Sequence, residues 1–225
     1  NSFCTLLRST MALDGLSVDQ ISRVHHVMIT VGEMAADRGY LVAEEWCPKR
    51  LDEFRTRFVP TGAAIEREKM MLYCRHEKSN EGLFVFFNGD ASVNTQKVKD
   101  YAQHARNEGA KTVILVTEGK LNPPTKKYVE TLARSDVQPI TMQVFHEDDL
   151  VVNITKHELV PQHIPLSDAE AKEVLEAFAL KMSMLPRILQ RDPIAQYFGM
   201  RKGQMFRIMR KSETAGEYTT YRQVV

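Results

Sequence analysis

Thr112-Val113-Ile114-Leu115-Val116 is apolar without alternation, and it constrains the fold more than any other stretch of this chain. A strand with one wet face alternates in polarity, whereas a continuous apolar run marks a strand buried on both faces, as in parallel sheets covered by helices. The flanking sequence has the matching order. Residues 69–74 and 83–87 read as strands, residues 93–108 as a helix closed by Gly109, and Pro123-Pro124 as the opening of a helix through about Arg134. Residues 140–145 alternate as a further strand. The order β-α-β-α-β predicts a small α/β domain, whose parallel neighbours need helical crossovers.

Before this block, Ser17-Val18-Asp19-Gln20 has the pattern of a capping box. Ile21, Val24, Met28, Val31 and Ala35 follow at helical spacing, with Gly39 as the C-cap. Leu41 and Val42 start a short strand that Pro48 must end, and residues 51–58 form a short helix before the turn Pro60-Thr61-Gly62. After His146-Glu147-Asp148-Asp149 the texture changes: Pro161 and Pro165 interrupt the chain, and Ser167-Asp168-Ala169-Glu170 opens an amphipathic helix through Val174, Leu175 and Phe178. Asp192-Pro193 starts a short helix ending near Gly199, and strands follow at residues 204–209 and 218–224, separated by Ala215-Gly216. Two domains result. Residues 1–145 form an α/β domain with a small, mostly parallel or mixed sheet, and residues 146–225 form a small α+β domain.

With 43% hydrophobic and 26% charged residues and a net charge of +1, the composition demands no nucleic-acid partner. The distribution is less even. Residues 147–176 hold eight acidic and two basic side chains, and residues 181–225 hold nine basic and three acidic ones. Each segment therefore faces the other or a separate partner. Cys4, Cys47 and Cys74 are too scattered for a disulfide framework or zinc knuckle, which fits a reducing compartment. The start, Asn1-Ser2-Phe3-Cys4, reads as a trimmed end, and no apolar run is long enough to span a bilayer, so no membrane partner is expected.

Catalytic chemistry finds little footing. A nucleotide-polymerising centre needs carboxylates converging on Mg²⁺, but Glu147, Asp148 and Asp149 are consecutive and fit a capped turn or a partner-facing edge better. Asp90 and Glu118-Gly119-Lys120 each follow an apolar strand, a superficial likeness to metal-dependent nucleases that any βα loop shares. His25 and His26 diverge by about 100° on a helix, and His157 and His163 straddle Pro161 without cysteines nearby; a structural or interface role suits all four. No metal set, cofactor or catalytic residue is expected. Binding is better supported. Arg201, Lys202, Arg207, Arg210 and Lys211 are dense, and neither face of strand 204–209 is purely polar, so one face should pack internally and the other meet a partner. Pro123-Pro124-Thr125-Lys126-Lys127 sits at a helix start, where amides and lysines attract phosphate.

The distal text is specific. Val151-Val152-Asn153-Ile154-Thr155, His157-Glu158-Leu159-Val160-Pro161, His163-Ile164, Leu166-Ser167, Leu185-Pro186-Arg187-Ile188, Asp192-Pro193, Arg210-Lys211-Ser212-Glu213-Thr214, Gly216, Tyr218 and Tyr221-Arg222 closely resemble the subunit shared by eukaryotic RNA polymerases I, II and III, which has an archaeal polymerase counterpart. Residues 17–145 resemble the family's eukaryotic jaw domain in element order and length, and in wording at Asp37-Arg38-Gly39-Tyr40. Glu217 replaces an often basic residue, as in a divergent eukaryotic copy.

The resemblance implies a non-catalytic structural subunit of a nuclear DNA-directed RNA polymerase. It would dock on the largest subunit through an archaeal-like assembly domain, contact other core subunits and place its jaw near downstream double-stranded DNA. The implied docking candidates are His157, Arg187, Arg201, Lys202, Arg207, Arg210, Lys211 and Arg222, and the DNA-proximal ones are Pro124, Lys126 and Lys127. A metal-dependent nuclease and a freestanding DNA-binding module are the alternatives, and the choice among polymerases I, II and III stays open.

Overall fold

The computed structural model describes residues 17–60, 64–134, 139–212 and 216–225, which divide into two compact units, one ending at Val151 and one spanning Val152–Val225. The readings at Cys4, at Thr61-Gly62 and at Ala215 lie outside the described residues, as do the side chains of Lys211 and Glu217.

The first unit opens with helix α1 (Val18–Asp37), started by the expected capping box: the Gln20 amide donates to the Ser17 hydroxyl, and the Ser17 amide donates to the Gln20 side chain. Gly39, at φ +86°, supplies the left-handed turn that ends it. Helix α2 (Leu51–Phe58) buries Phe54 and Phe58. Strands β1 (Leu72–Arg75), β2 (Gly82–Asn88), β4 (Ala110–Thr117) and β6 (Thr141–His146) form one sheet in the order β1-β2-β4-β6, antiparallel at β1/β2 and parallel thereafter. Between them lie β3 (Ser92–Val93), helix α3 (Thr95–Asn107), β5 (Lys120–Leu121) and helix α4 (Pro123–Leu132). Helix α5 (Glu147–Leu150) closes the unit.

Both sheet faces are dry. Phe84, Phe86, Val113 and Leu115 pack with Val98 and Ala102 of α3 and Leu132 of α4. The alternate residues Leu83, Val85, Phe87, Ile114 and Val116 are equally buried on the other side. Trp46 reaches that side with its ring 6.3 Å from Phe87, and a Cβ on Gly32 of α1 would lie 3.5 Å from it. Its Nε1 donates toward the carbonyls of Met70 and Met71, at 3.1 and 3.2 Å.

That indole corrects two strand expectations. Residues 69–74 do not form one strand: Arg67–Met70 is a 3₁₀ turn whose end presents carbonyls to Trp46, and β1 begins only at Leu72. No strand forms at Leu41-Val42; Tyr40 makes a single bridge to His76, and the chain then turns through Glu44–Trp46 to bury the indole. Val93, expected in a helix, pairs instead with Leu121, and α3 starts at Thr95.

The second unit contains β7 (Gln162–Leu166), helix α6 (Asp168–Ala177), β8 (Arg187–Ile188), helix α7 (Pro193–Tyr197), β9 (Met205–Ser212) and β10 (Gly216–Val224). The sheet order is β7-β9-β10-β8, with only β10/β8 parallel. Phe206, Ile208, Val224 and Ile188 pack with Ala195 on the α7 side. Met205 and Leu166 pack with Ala171 and Leu185 on the α6 side. The expectation that one face of strand 204–209 packs internally and the other meets a partner is therefore corrected at this end, because Phe206 and Ile208 are buried on one side and α6 and residues 182–185 cover Met205 completely on the other.

The expected domain boundary at residues 145/146 differs from the division of the two units after Val151. Residues 146–150 belong with the first unit because His146 caps α5, Glu147 and Leu150 are buried, and Asp148 pairs with Arg23 of α1.

Helix α6 ends unusually. The amides of Ala179 and Leu180 donate to the carbonyls of Glu176 and Leu175, the Schellman pattern, but the left-handed position, at φ +51°, is occupied by Ala179 rather than glycine. Relieving the Cβ clash with Ala179→Gly should stabilise the chain by about 1 kcal/mol in denaturant titration. Unchanged or reduced stability would contradict this cap geometry.

Candidate functional site

In open α/β sheets, ligands bind outside the carboxyl ends of parallel strands. Here β2, β4 and β6 end at Asn88, Thr117 and His146, and that edge is filled by a side chain from outside the sheet. Arg67 lies across it with its Nη2 3.0 Å from Glu147 Oε1 and 3.0 Å from Glu118 Oε2. The Arg67 and Glu147 side chains are only 18% and 4% exposed, so this pair works in a low dielectric. Gly89 makes room for it: a Cβ there would come within 2.3 Å of Arg67 Nη1 and 2.9 Å of its Cδ. Nothing in the sequence pattern singled out Gly89 or Arg67, which stands among charged neighbours at residues 66–69.

The nuclease-like carboxylates are engaged here too. Asp90 pairs with Lys97 of α3, and Glu118 with Arg67. Among the described residues no three of His, Cys, Asp and Glu gather as a metal-binding set, and no helix is long and apolar enough to cross a membrane. The histidines close local structure: His25 Nε2 donates to the Pro48 carbonyl at 2.7 Å, His157 Nδ1 accepts the Leu159 amide, and His163 Nδ1 donates to the Pro161 carbonyl. Cys74 is buried and Cys47 half-buried; burial pushes their thiols up to about 12 and about 11, so neither is a thiolate at neutral pH.

The start of α4 is an open cationic feature of the proximal unit. Pro123, Pro124, Lys126 and Lys127 are all exposed, while Thr125 is buried and donates to the Val93 carbonyl. Its hydroxyl also lies 3.1 Å from that of Thr95, which sets the first turns of α3 and α4 side by side. Neither first turn carries an acidic residue, so amide dipoles and lysines act with one sign.

In the distal unit, Arg187, Arg201, Lys202 and Arg210 are exposed, as is His157, and Arg207 and Arg222 are half-buried. The strand register spreads the arginines over both faces: Arg207 stands opposite Tyr221 and Ile164, whereas Arg222 stands opposite Phe206 and Arg210 opposite Tyr218. These candidates therefore form no single cluster. They ring a domain that also exposes Val152, Leu159, Phe178, Met184 and Leu189.

A plugged sheet edge, locally satisfied histidines and a margin of exposed arginines and apolar side chains are the make-up of a subunit that binds. Residues 18–105 match the family model described as RNA polymerase Rpb5, N-terminal domain, and residues 152–224 match RNA polymerase Rpb5, C-terminal domain. Two relatives from Caenorhabditis elegans and Caenorhabditis briggsae, both named DNA-directed RNA polymerases I, II, and III subunit RPABC1, are 36% and 37% identical over 218 residues, covering 96% of this chain and 100% of theirs. The chain belongs to the Rpb5 family of RNA polymerase subunits. As such it is a non-catalytic structural subunit of DNA-directed RNA polymerase and serves transcription.

The Arg67 pair has a measurable signature. Desolvation raises the Glu147 carboxyl above its ordinary range, against the pull of Arg67. A raised carboxyl contributes stability fully present below its unfolded pKa and lost as pH rises through the folded value. Arg67→Met should destabilise the chain by about 3 kcal/mol at pH 7, because Glu147 is left without its cation. The loss should shrink as acid protonates Glu147, and a pH-independent loss in chemical denaturation at pH 4 to 7 would refute the pairing.

Proposed function

We propose that this chain docks through its distal unit on the largest subunit of a nuclear RNA polymerase, touches other core subunits there, and holds its proximal unit beside downstream double-stranded DNA. The distal unit acts as the assembly domain and the proximal unit as the jaw, with the acidic turn at residues 146–151 packed on the proximal unit at the boundary. The observation that carries this reading is the distal unit's margin of exposed arginines beside large apolar side chains. The proximal unit exposes Lys126 and Lys127 at a helix start without acidic residues, while the distal unit exposes arginines interleaved with large apolar side chains. Two lysines supply weak, position-dependent phosphate affinity and no sequence readout. Arginines beside apolar side chains are the composition of a protein interface.

His157, Arg187, Arg201, Lys202, Arg207, Arg210, Lys211 and Arg222 are the proposed docking residues, and Pro124, Lys126 and Lys127 the DNA-proximal ones. Pro124 would shape the loop and leave the charge to its neighbours. The names of the nematode relatives support sharing among polymerases I, II and III, and with it a nuclear location for this chain.

Affinity purification of the tagged chain from nuclear extract should recover the two largest polymerase subunits, and removal of residues 152–225 should abolish that recovery. Lys126→Ala with Lys127→Ala should leave recovery intact, reduce crosslinking to downstream DNA, and lower the salt slope of the DNA contact by up to about 2. Tight, salt-sensitive duplex binding by the free chain, with no polymerase subunit recovered, would favour a freestanding DNA-binding module instead.

A further inference from the structure

The distal sheet is incomplete along one side. Strand β10 runs from Gly216 to Val224 and pairs with β9 along almost its whole length, but β8 pairs with it only at Gln223 and Val224. Among the described residues no other strand faces Gly216 to Arg222 from that side. The direction of the unpaired groups follows from the amides at the closed end. Gln223 donates to the Pro186 carbonyl on the β8 side, and Val224 donates to the Gln204 carbonyl on the β9 side. In an antiparallel ladder successive residues alternate in direction. The N–H and C=O of Thr219 and Tyr221 therefore point outward, like those of Gln223, with no strand to receive them.

The slot has a shape because β8 stops early. Continued backward in parallel register from Arg187↔Gln223, it would set Leu185 beside Tyr221. Instead Pro186 is followed upstream by the 3₁₀ turn Met182–Met184, and Leu185 turns into the core under α6. The chain leaves the sheet where two further rungs of ladder would fit. Beside the slot, on the α6 side, Phe178 lies 6.0 Å from the Tyr221 ring, and Phe178 and Met184 are 60% and 65% exposed. On the opposite side Arg222 and Arg210 share a face with Tyr218, which is 56% exposed. The Thr220 hydroxyl on that side is buried without a partner.

We infer that β10 receives an extended segment of a partner polypeptide, added in line with β8, with apolar side chains toward Phe178 and Met184 and acidic ones toward Arg222 and Arg210. Backbone pairing satisfies Thr219 and Tyr221, and alternate side chains read the two walls, as in β-strand addition. A long unpaired edge is otherwise a template for unwanted pairing. Gly216 to Arg222 holds no proline or lysine to discourage it. The excess of arginine selects an acidic partner over a second copy, which would bring like charges together. The inference rests on the assembly reading above and gives its docking surface a specific form.

The test follows backbone amides in the full chain, free and within polymerase purified through it. Hydrogen exchange at Thr219 and Tyr221 should be fast in the free chain and slow by about 100-fold in the complex. Thr219→Pro removes an outward N–H while sparing the β9 ladder. It should keep the melting temperature of the free chain but lower recovery of the largest subunit about tenfold. Thr219→Ala should recover it normally. Amides that stay fast inside an assembled complex overturn the edge assignment while leaving the assembly reading intact. Failure of the wild-type chain to recover any polymerase subunit overturns both. Concentration-dependent protection with a dimeric mass in sedimentation identifies a second copy as the occupant and refutes the acidic partner.

Discussion

The proximal unit depends on one guanidinium held almost out of water. Three parallel strands end together, and the loops that leave them carry Gly89, Glu118 and Glu147. Arg67 crosses all three loops, with a carboxylate on two of them and only a glycine on the third. A buried pair of this kind is a weak source of net stability, yet removing either partner alone is costly because the other charge stays buried. The place where an α/β enzyme keeps its crevice has become a clasp. That substitution of structure for a site explains how a fold associated with ligand chemistry can serve a structural subunit.

The distal unit solves a different problem. At seventy-four residues it has little interior, and its two small clusters sit on opposite faces of one sheet. Helix α6 buries Ala171 and only part of Val174 and Leu175, so much of its apolar side stays exposed. A domain this size gains most by completing its core against another chain. Exposed arginines at its margin then supply orientation, since planar guanidinium groups pair with carboxylates in a fixed geometry.

Much of this could be read from local sequence, and the failures have a common cause. Capping boxes at Ser17 and Ser167, the prolines opening α4 and α7, and the doubly buried run in β4 depend on neighbours within a turn or on a two-residue period, and the structure has them where expected. The missing strand at Leu41 and the late start of β1 are effects of Trp46, which meets Met70 and Met71 from twenty-four and twenty-five residues away. Arg67 and Glu147 are eighty residues apart, and no periodicity relates them. The family likeness lay in the long distal string of residues. The exposed lysines of α4 were legible as a helix start, but the pairing of Thr95 with Thr125 that aligns two such starts was not.

The same indole has a practical consequence. Trp46 is the only tryptophan in the chain, and it lies wholly within the proximal unit, 7% exposed against Gly32 and Phe87. Its fluorescence is thus a gauge of one half of the molecule and blind to the other, whose aromatic residues are phenylalanines and tyrosines. An optical melt followed at tryptophan wavelengths reports the proximal unit alone, whereas tyrosine absorbance draws on both, from Tyr40, Tyr73, Tyr101 and Tyr128 in one unit and Tyr197, Tyr218 and Tyr221 in the other. Any gap between the two curves measures how far the halves unfold on their own.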